Sequence, residues 1–294
     1  MDTLITTQQQ KRAKTELVLM NIYNLPSVPK IMMDALTLLD SKSTNTSEII
    51  KVISKDQGLI TKILTIANSP LYGLQRKVTS IDFAILILGF GELRNLISIL
   101  SMMESFKNKT DKYLDQKTFW IHSFIVGSAT KRLAEDLGFH NSGEAFVAGF
   151  LHDLGISVLH RFLHTNFITI KDLVADKNIS YKEAELEVLG MTHEEVGNCL
   201  LERWNFPEVL CDVILHHHNP SNSKDNNFLA SIIHLSDYMT QRLEIGKFAW
   251  DDNLTLNEEA KQILRFRSDE EADNFILGYK TLFSNQIESA RFLS

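Results

Sequence analysis

Apolar residues recur along most of this chain at helical spacing, and no stretch alternates apolar and polar residues convincingly over six or more positions. That pattern predicts helices and no sheet, so the expected fold class is all-α. Residues 1–20 read as an opening helix, ended by Leu25-Pro26-Ser27-Val28-Pro29. Ser27 is placed to cap the next helix and Pro29 to sit near its first turn. Ile31, Ala35, Leu38 and Leu39 give that helix a core face. Ser43-Thr44-Asn45-Thr46 reads as a turn, with a helix opening at Ser47-Glu48-Ile49-Ile50. Asp56-Gln57-Gly58-Leu59 restarts the chain into a helix marked by Leu59, Ile63, Leu64 and Ala67. A tight loop follows at Asn68–Gly73. Ser80 then opens an apolar helix, and Gly89 precedes a further one through Leu93-Arg94-Asn95-Leu96-Ile97.

The polar stretch 106–116 is the expected boundary between two halves, with the second beginning near Thr118-Phe119-Trp120. The expected organisation is an N-terminal helix (1–21), a helical half (22–112), a second helical half (113–240) and a C-terminal helical extension (241–294). Residues 219–227 are polar and read as a surface loop, while 241–294 carry no legible motif.

Composition narrows the function classes. Only 13 glycines and 5 prolines interrupt the chain, so loops should be few and short. The formal net charge of −7 comes with no basic stripe to neutralise phosphates, so direct nucleic-acid binding is not expected. Lys11-Arg12-Ala13-Lys14 is too short for that role and reads as a solvated helix face. Cys199 and Cys211 form no CxxC pair, which fits a reducing compartment. The N-terminus lacks a secretory pattern, and the apolar run near Phe83–Leu88 is far shorter than a bilayer span. The expectation is a soluble cytoplasmic protein without membrane attachment.

All ten histidines lie at or after His122. Ligand-type side chains occur in six segments: Trp120-Ile121-His122-Ser123, Leu151-His152-Asp153-Leu154-Gly155, Met191-Thr192-His193-Glu194, His216-His217-His218-Asn219-Pro220, His234, and Ser236-Asp237-Tyr238. An imidazole nitrogen and a carboxylate oxygen are complementary ligands for one divalent cation, and a carboxylate can bridge two ions. Adjacent side chains on a helix diverge by about 100°, so His152-Asp153 suits a helix end or distorted turn, which Gly155 would permit. Singly, each segment has a plainer reading. His122 could pack in the core, His193 could belong to a helix-capping turn, His216–His218 could be a surface run, and Asp237 could be an exposed helix residue. His140, His160 and His164 have no comparable partners and take the plainer reading.

The order of these residues resembles the HD superfamily of metal-dependent phosphohydrolases. More closely, about three quarters of the chain, from about 22 to 240, resembles the HDOD domain of bacterial signalling proteins. The matching stretches include Leu25–Pro29, Asp56-Gln57-Gly58-Leu59, Ala67–Gly73, Ser80-Ile81-Asp82-Phe83-Ala84, Phe119–Ser123, Ala145–Gly155, His193–Gly197, Trp204-Asn205-Phe206-Pro207 and His217-His218-Asn219-Pro220. The resemblance implies an all-helical HD-like bundle with an N-terminal helical subdomain and a regulatory role in signal transduction. It also implies a divalent-metal pocket for one or two ions of iron, manganese or zinc. His122, His152, Asp153 and Asp237 would hold one ion, and Asp153 would bridge to a second held by His193, His217 and His218. The expected partner is a signalling protein or a nucleotide-type ligand, with self-association as another route for the output. Metal-dependent hydrolysis of a nucleotide or cyclic dinucleotide is the alternative function, with Asp153 then catalytic. A metal-free core of packed histidines is a third reading. Two departures bear on the alternative. Active phosphodiesterase relatives read His-Asp-x-Gly-Lys where this chain has Ile156, and their Gly-Tyr-Pro signature is replaced by Asn219-Pro220-Ser221-Asn222. An aliphatic side chain cannot supply the charge-assisted hydrogen bonds that phosphate favours.

Overall fold

The computed structural model describes residues 2–22, 29–41, 43–106, 111–250 and 254–290, with side chains from residue 7 onward. Of the described residues 74% are helical and none is in a strand. Helix α1 (Asp2–Met20) is followed by α2 (Lys30–Asp40), α3 (Thr46–Ile53), α4 (Gln57–Ala67) and α5 (Ile81–Ser105). The expected break at 25–28 and its Ser27 cap lie outside the described residues. Local chemistry sets the other starts. The Asn45 side chain accepts the Glu48 N–H at 3.0 Å, so α3 begins slightly earlier than the sequence pattern suggests. The Asp56 carboxylate caps α4 through the Leu59 N–H at 3.0 Å, and Ser80 caps α5 through the Phe83 N–H at 3.3 Å. Each such cap contributes about 1 kcal/mol.

Helix α5 contains the expected break: Gly89 has φ 76° and ψ 170°, outside helical geometry. Its 25 residues have the length and hydropathy of a membrane span, which the short run at Phe83–Leu88 did not suggest. The break divides it, and Leu93, Leu96, Ile97 and Leu100 beyond the break are fully buried. Of the methionines in this half, Met32, Met102 and Met103 are core residues, whereas Met33 is exposed.

The second half is built around α6 (Gln116–Asp136), which is buried on nearly every face and packs along α7 (Ser142–Leu151). Phe119, Phe124, Phe146 and Phe150 fill the space between them, and Trp120 stacks on Phe150 with ring centroids 5.7 Å apart. Around it lie α8 (Leu154–Phe162), α9 (His164–Lys177), α10 (Tyr181–Leu189), α11 (His193–Arg203), α12 (Glu208–His216) and α13 (Asn227–Leu243). The C-terminal α14 (Glu258–Ile263), α15 (Asp269–Leu277) and α16 (Lys280–Ala290) pack back on the bundle. Gln286 on α16 is fully buried and joins the halves: it accepts the Leu71 N–H at 3.1 Å and donates to Ser128 Oγ at 3.3 Å.

The opening helix is not simply solvated. Thr15 donates to the Leu189 carbonyl at 2.9 Å, Arg12 pairs with Glu195 at 2.6 Å, and Lys11 donates to the Glu187 carbonyl. The basic cluster expected to face solvent therefore ties α1 to α10 and α11.

Candidate metal centre

Five parts of the bundle bring all seven expected residues to one place. His122 projects from α6, His193 opens α11, His217 and His218 follow α12, and Asp237 lies on α13. His152 and Asp153 occupy the corner between α7 and α8, with Asp153 at φ −97° and ψ 15°. The adjacent pair thus escapes the divergence a continuous helix would impose. Asp153 is central. Its Oδ2 lies 3.2 Å from His152 Nε2 and 3.6 Å from His122 Nε2. Its Oδ1 lies 3.4 Å from His193 Nε2 and 3.7 Å from His217 Nε2. Asp237 Oδ1 is 3.5 Å from His122 Nε2, and His218 Nε2 is 3.3 Å from His193 Nε2.

Most of these separations are long for N–H···O hydrogen bonds. The separations of 3.2, 3.3 and 3.4 Å fall within the edges of a coordination shell, which for bonds of about 2.1 Å run from roughly 3.0 Å in an octahedron to 3.4 Å in a tetrahedron, and the others exceed that by 0.1–0.3 Å. His152 Nε2, His217 Nε2, both oxygens of Asp153 and Oδ2 of Asp237 are buried without a hydrogen-bond partner. An unsatisfied buried polar atom costs about 1–3 kcal/mol, more when charged. Several converging on one point is the signature of a donor set that fits a divalent cation.

The opposite edges of the imidazoles are anchored. His122 Nδ1 is 2.9 Å from the Gly246 carbonyl oxygen, His152 Nδ1 is 2.8 Å from that of Gly149, and His217 Nδ1 is 2.7 Å from that of Ile214. His193 Nδ1 is 3.0 Å from Glu185 Oε1. Donation from Nδ1 to these acceptors fixes the tautomer and turns each Nε2 lone pair inward. His234 stands apart from the ligand set. Its Nδ1 donates to the His217 carbonyl at 3.0 Å and its Nε2 accepts the Asn257 N–H at 3.0 Å, so it braces the site instead of facing it.

Several contributors carry no sequence signal. Glu185 is fully buried on α10, where it accepts the His193 backbone N–H at 2.9 Å and the Trp250 indole N–H at 2.7 Å. Glu194 is buried beside His193, with its Oε2 3.4 Å from the Nδ1. The Phe248 ring lies tilted beside His122, with centroids 5.8 Å apart. Gly246, Phe248, Trp250 and Asn257 all belong to the extension whose sequence carries no legible motif. Gly155 has a different role from the expected one. A Cβ there would lie 1.9 Å from the His193 carbonyl oxygen, so only glycine lets α8 meet α11 this closely. Ile156 is fully buried in the core. The plainer reading of His193 holds alongside its place in the cluster: Glu195 accepts the Thr192 N–H at 2.9 Å at the start of α11. His160 and His164, expected to lack partners, both meet Asp111, at 3.0 and 2.7 Å. Sequence separations of 49 and 53 residues concealed this.

Burial opposes charge on every imidazole in the cluster. At His193 the carboxylates of Glu185 and Glu194 outweigh it and hold the group well above the ordinary histidine range. His122 and His152 are also raised, against burial, chiefly by Asp153. His217 and His218 are pushed well below it by burial, reinforced by neighbouring imidazoles. Asp153 is held well below the usual carboxylate range by His152, His122 and His193 despite burial, whereas burial raises Asp237. Carboxylates and imidazoles so divided suit a cation with nitrogen and oxygen ligands.

Comparison with known proteins places the chain in a family. The model of the HDOD domain matches residues 25–220. The chain belongs to the HDOD family. An HDOD domain protein of unknown function from Geobacter sulfurreducens superposes with a TM-score of 0.77, at 27% identity, covering 97% of this chain and 99% of that one. A candidate phosphohydrolase from Shewanella amazonensis SB2B shares the HDOD-type fold, with a TM-score of 0.72 at 22% identity over 94% of this chain and 98% of its own. An uncharacterized protein of Treponema pallidum (strain Nichols) is 26% identical over 216 residues, which is 73% of this chain. The present HDOD chain spans only 41% of that relative's length.

Proposed function

We propose that this HDOD protein is a signal-transduction module whose regulatory pocket is a divalent-metal centre. The observation that carries the reading is the convergence of unsatisfied buried donor atoms on Asp153. His122, His152, Asp153 and Asp237 would hold one ion. Asp153 Oδ1 turns to the second group, His193, His217 and His218, which suits a dinuclear centre of iron, manganese or zinc. Nitrogen-rich ligation disfavours magnesium or calcium alone. A cation bound here supplies Lewis acidity and lowers the pKa of a coordinated water. The chain's own residues orient the imidazoles, exclude bulk water and supply the shared carboxylate.

A cavity of about 570 Å³ opens onto the second group at His193 and His218. Lys182, Asn178, Asn219 and Asn257 are among its walls, and no carboxylate is among its described lining residues. Tyr181 and Trp250 stack at 4.2 Å along one side. Such a wall suits an anionic nucleotide-type ligand, whose binding a partner protein or second copy then reads. The same cavity favours a second reading, hydrolysis of a phosphoester. Ile156 counts against it, since no lysine stands where the active relatives have one.

Elemental analysis of untagged protein tests the first reading. Stoichiometric iron, manganese or zinc is expected. Protein that stays metal-free after reconstitution would sink both readings and leave a packed histidine core. Turnover of a phosphodiester panel by the loaded protein, abolished in Asp153→Ala with the fold intact, would move the assignment to an enzyme.

A further inference from the structure

We propose that Asp111, His160 and His164 form a second, peripheral site for an exchangeable divalent transition metal. Asp111 precedes α6 on the segment joining the two halves, His160 lies in the last turn of α8, and His164 opens α9. One carboxylate oxygen, Asp111 Oδ2, lies 3.0 Å from His160 Nε2 and 2.7 Å from His164 Nε2. Both separations lie near the roughly 3.0 Å cis edge of an octahedron with bonds of about 2.1 Å, and the ligand atoms of all three residues lie within 4.8 Å of one another. Two imidazoles and a carboxylate select zinc, iron, manganese or cobalt over magnesium and calcium.

The ligands are held from behind. Asp111 Oδ1 accepts the N–H groups of Tyr113 at 2.8 Å and Leu114 at 3.0 Å, which leaves Oδ2 directed at the histidines. The buried His160 ring meets Phe167 edge-on at 5.0 Å, and its Nδ1 has no hydrogen-bond partner. His164 is 47% exposed, so water reaches the open face and can complete the shell. Three protein ligands and an open face make binding reversible, in contrast to the larger, buried ligand set around Asp153. The two sites share α8, a nine-residue helix with Asp153 before its start and His160 near its end. A cation at the peripheral site would fasten the inter-half segment to that helix.

The test is equilibrium dialysis of the untagged full chain against zinc, with bound metal counted by elemental analysis. Native protein is compared with His164→Ala, His164→Gln and Asp111→Asn, all at partly exposed positions, after circular dichroism confirms unchanged helix content. Each variant should bind one zinc equivalent fewer than native protein, and zinc should raise the melting temperature of native protein more than that of the variants. If folded variants bind as many equivalents as native protein, the three residues are a hydrogen-bonded clamp only and the proposal is overturned. The metal retained through gel filtration reports the buried centre separately, so loss there does not count as loss here.

Discussion

Gly155→Ala is the sharpest perturbation of the contact that assembles the buried centre. The added methyl would lie 1.9 Å from the His193 carbonyl oxygen, 2.8 Å from its carbonyl carbon and 3.0 Å from the Gly197 nitrogen. All three are backbone atoms, so no side chain can rotate away. To reach ordinary contact, α8 and α11 must part by about 1.5 Å, an overpacking that costs roughly 3 kcal/mol. Alanine recovers about 1 kcal/mol of helix propensity, leaving a net loss of about 2 kcal/mol. At about 2–4 °C per kcal/mol for a chain of this size, the melting temperature should fall by roughly 4–8 °C. The same displacement separates Asp153 from His193, now 3.4 Å apart, beyond what one ion can span. Metal content should therefore fall together with stability, as measured by scanning calorimetry and elemental analysis. Gly197→Ala is the control: its nearest contact would be 3.3 Å, which small adjustments absorb. A Gly155→Ala protein with native melting temperature and native metal content would refute the reasoning.

Three further outcomes follow from the geometry. Glu185→Gln keeps the shape but removes the charge facing His193 Nδ1, and should weaken metal binding by about 10–100-fold in competition with a chelator. Trp250→Phe removes the indole N–H that Glu185 accepts at 2.7 Å, and should lower stability by about 1–3 kcal/mol in urea unfolding. An unchanged midpoint would show that the extension does not brace the site. Metal binding should also release protons. His193, His122 and His152 are held above the ordinary range, so below about pH 6.5 they are protonated and must lose protons to bind a cation. His217 and His218, held well below the ordinary range by burial, contribute fewer protons. Affinity should thus rise with pH through the raised values, and calorimetry in buffers of different ionisation enthalpy reads the protons released.

The helical class is legible along the chain, because apolar spacing repeats with the helical period and residues such as Asp56 and Ser80 mark helix starts, whereas the Asn45 cap emerged only in the structure. The sequence also pointed to the residues that gather at the buried centre. Ligand-type side chains are chemically conspicuous, and their order along the chain carries the family resemblance. Features that depend on two distant segments meeting emerged only in the folded chain. Glu185 became a support for His193 only when α10 packed against the start of α11, since a single buried glutamate has no sequence signature. Gly246, Trp250 and Asn257 serve the site through backbone groups and an indole N–H, which composition cannot distinguish from ordinary loop residues. Gly155 reads as a turn residue in one dimension and proves to be a close-approach residue in three. Asp111 reaches His160 and His164 across roughly fifty residues, a pairing that no local period encodes. Helix formation is local and repeats, so it is legible along the chain. The site's outer support is nonlocal and happens once, so only the folded chain reveals it.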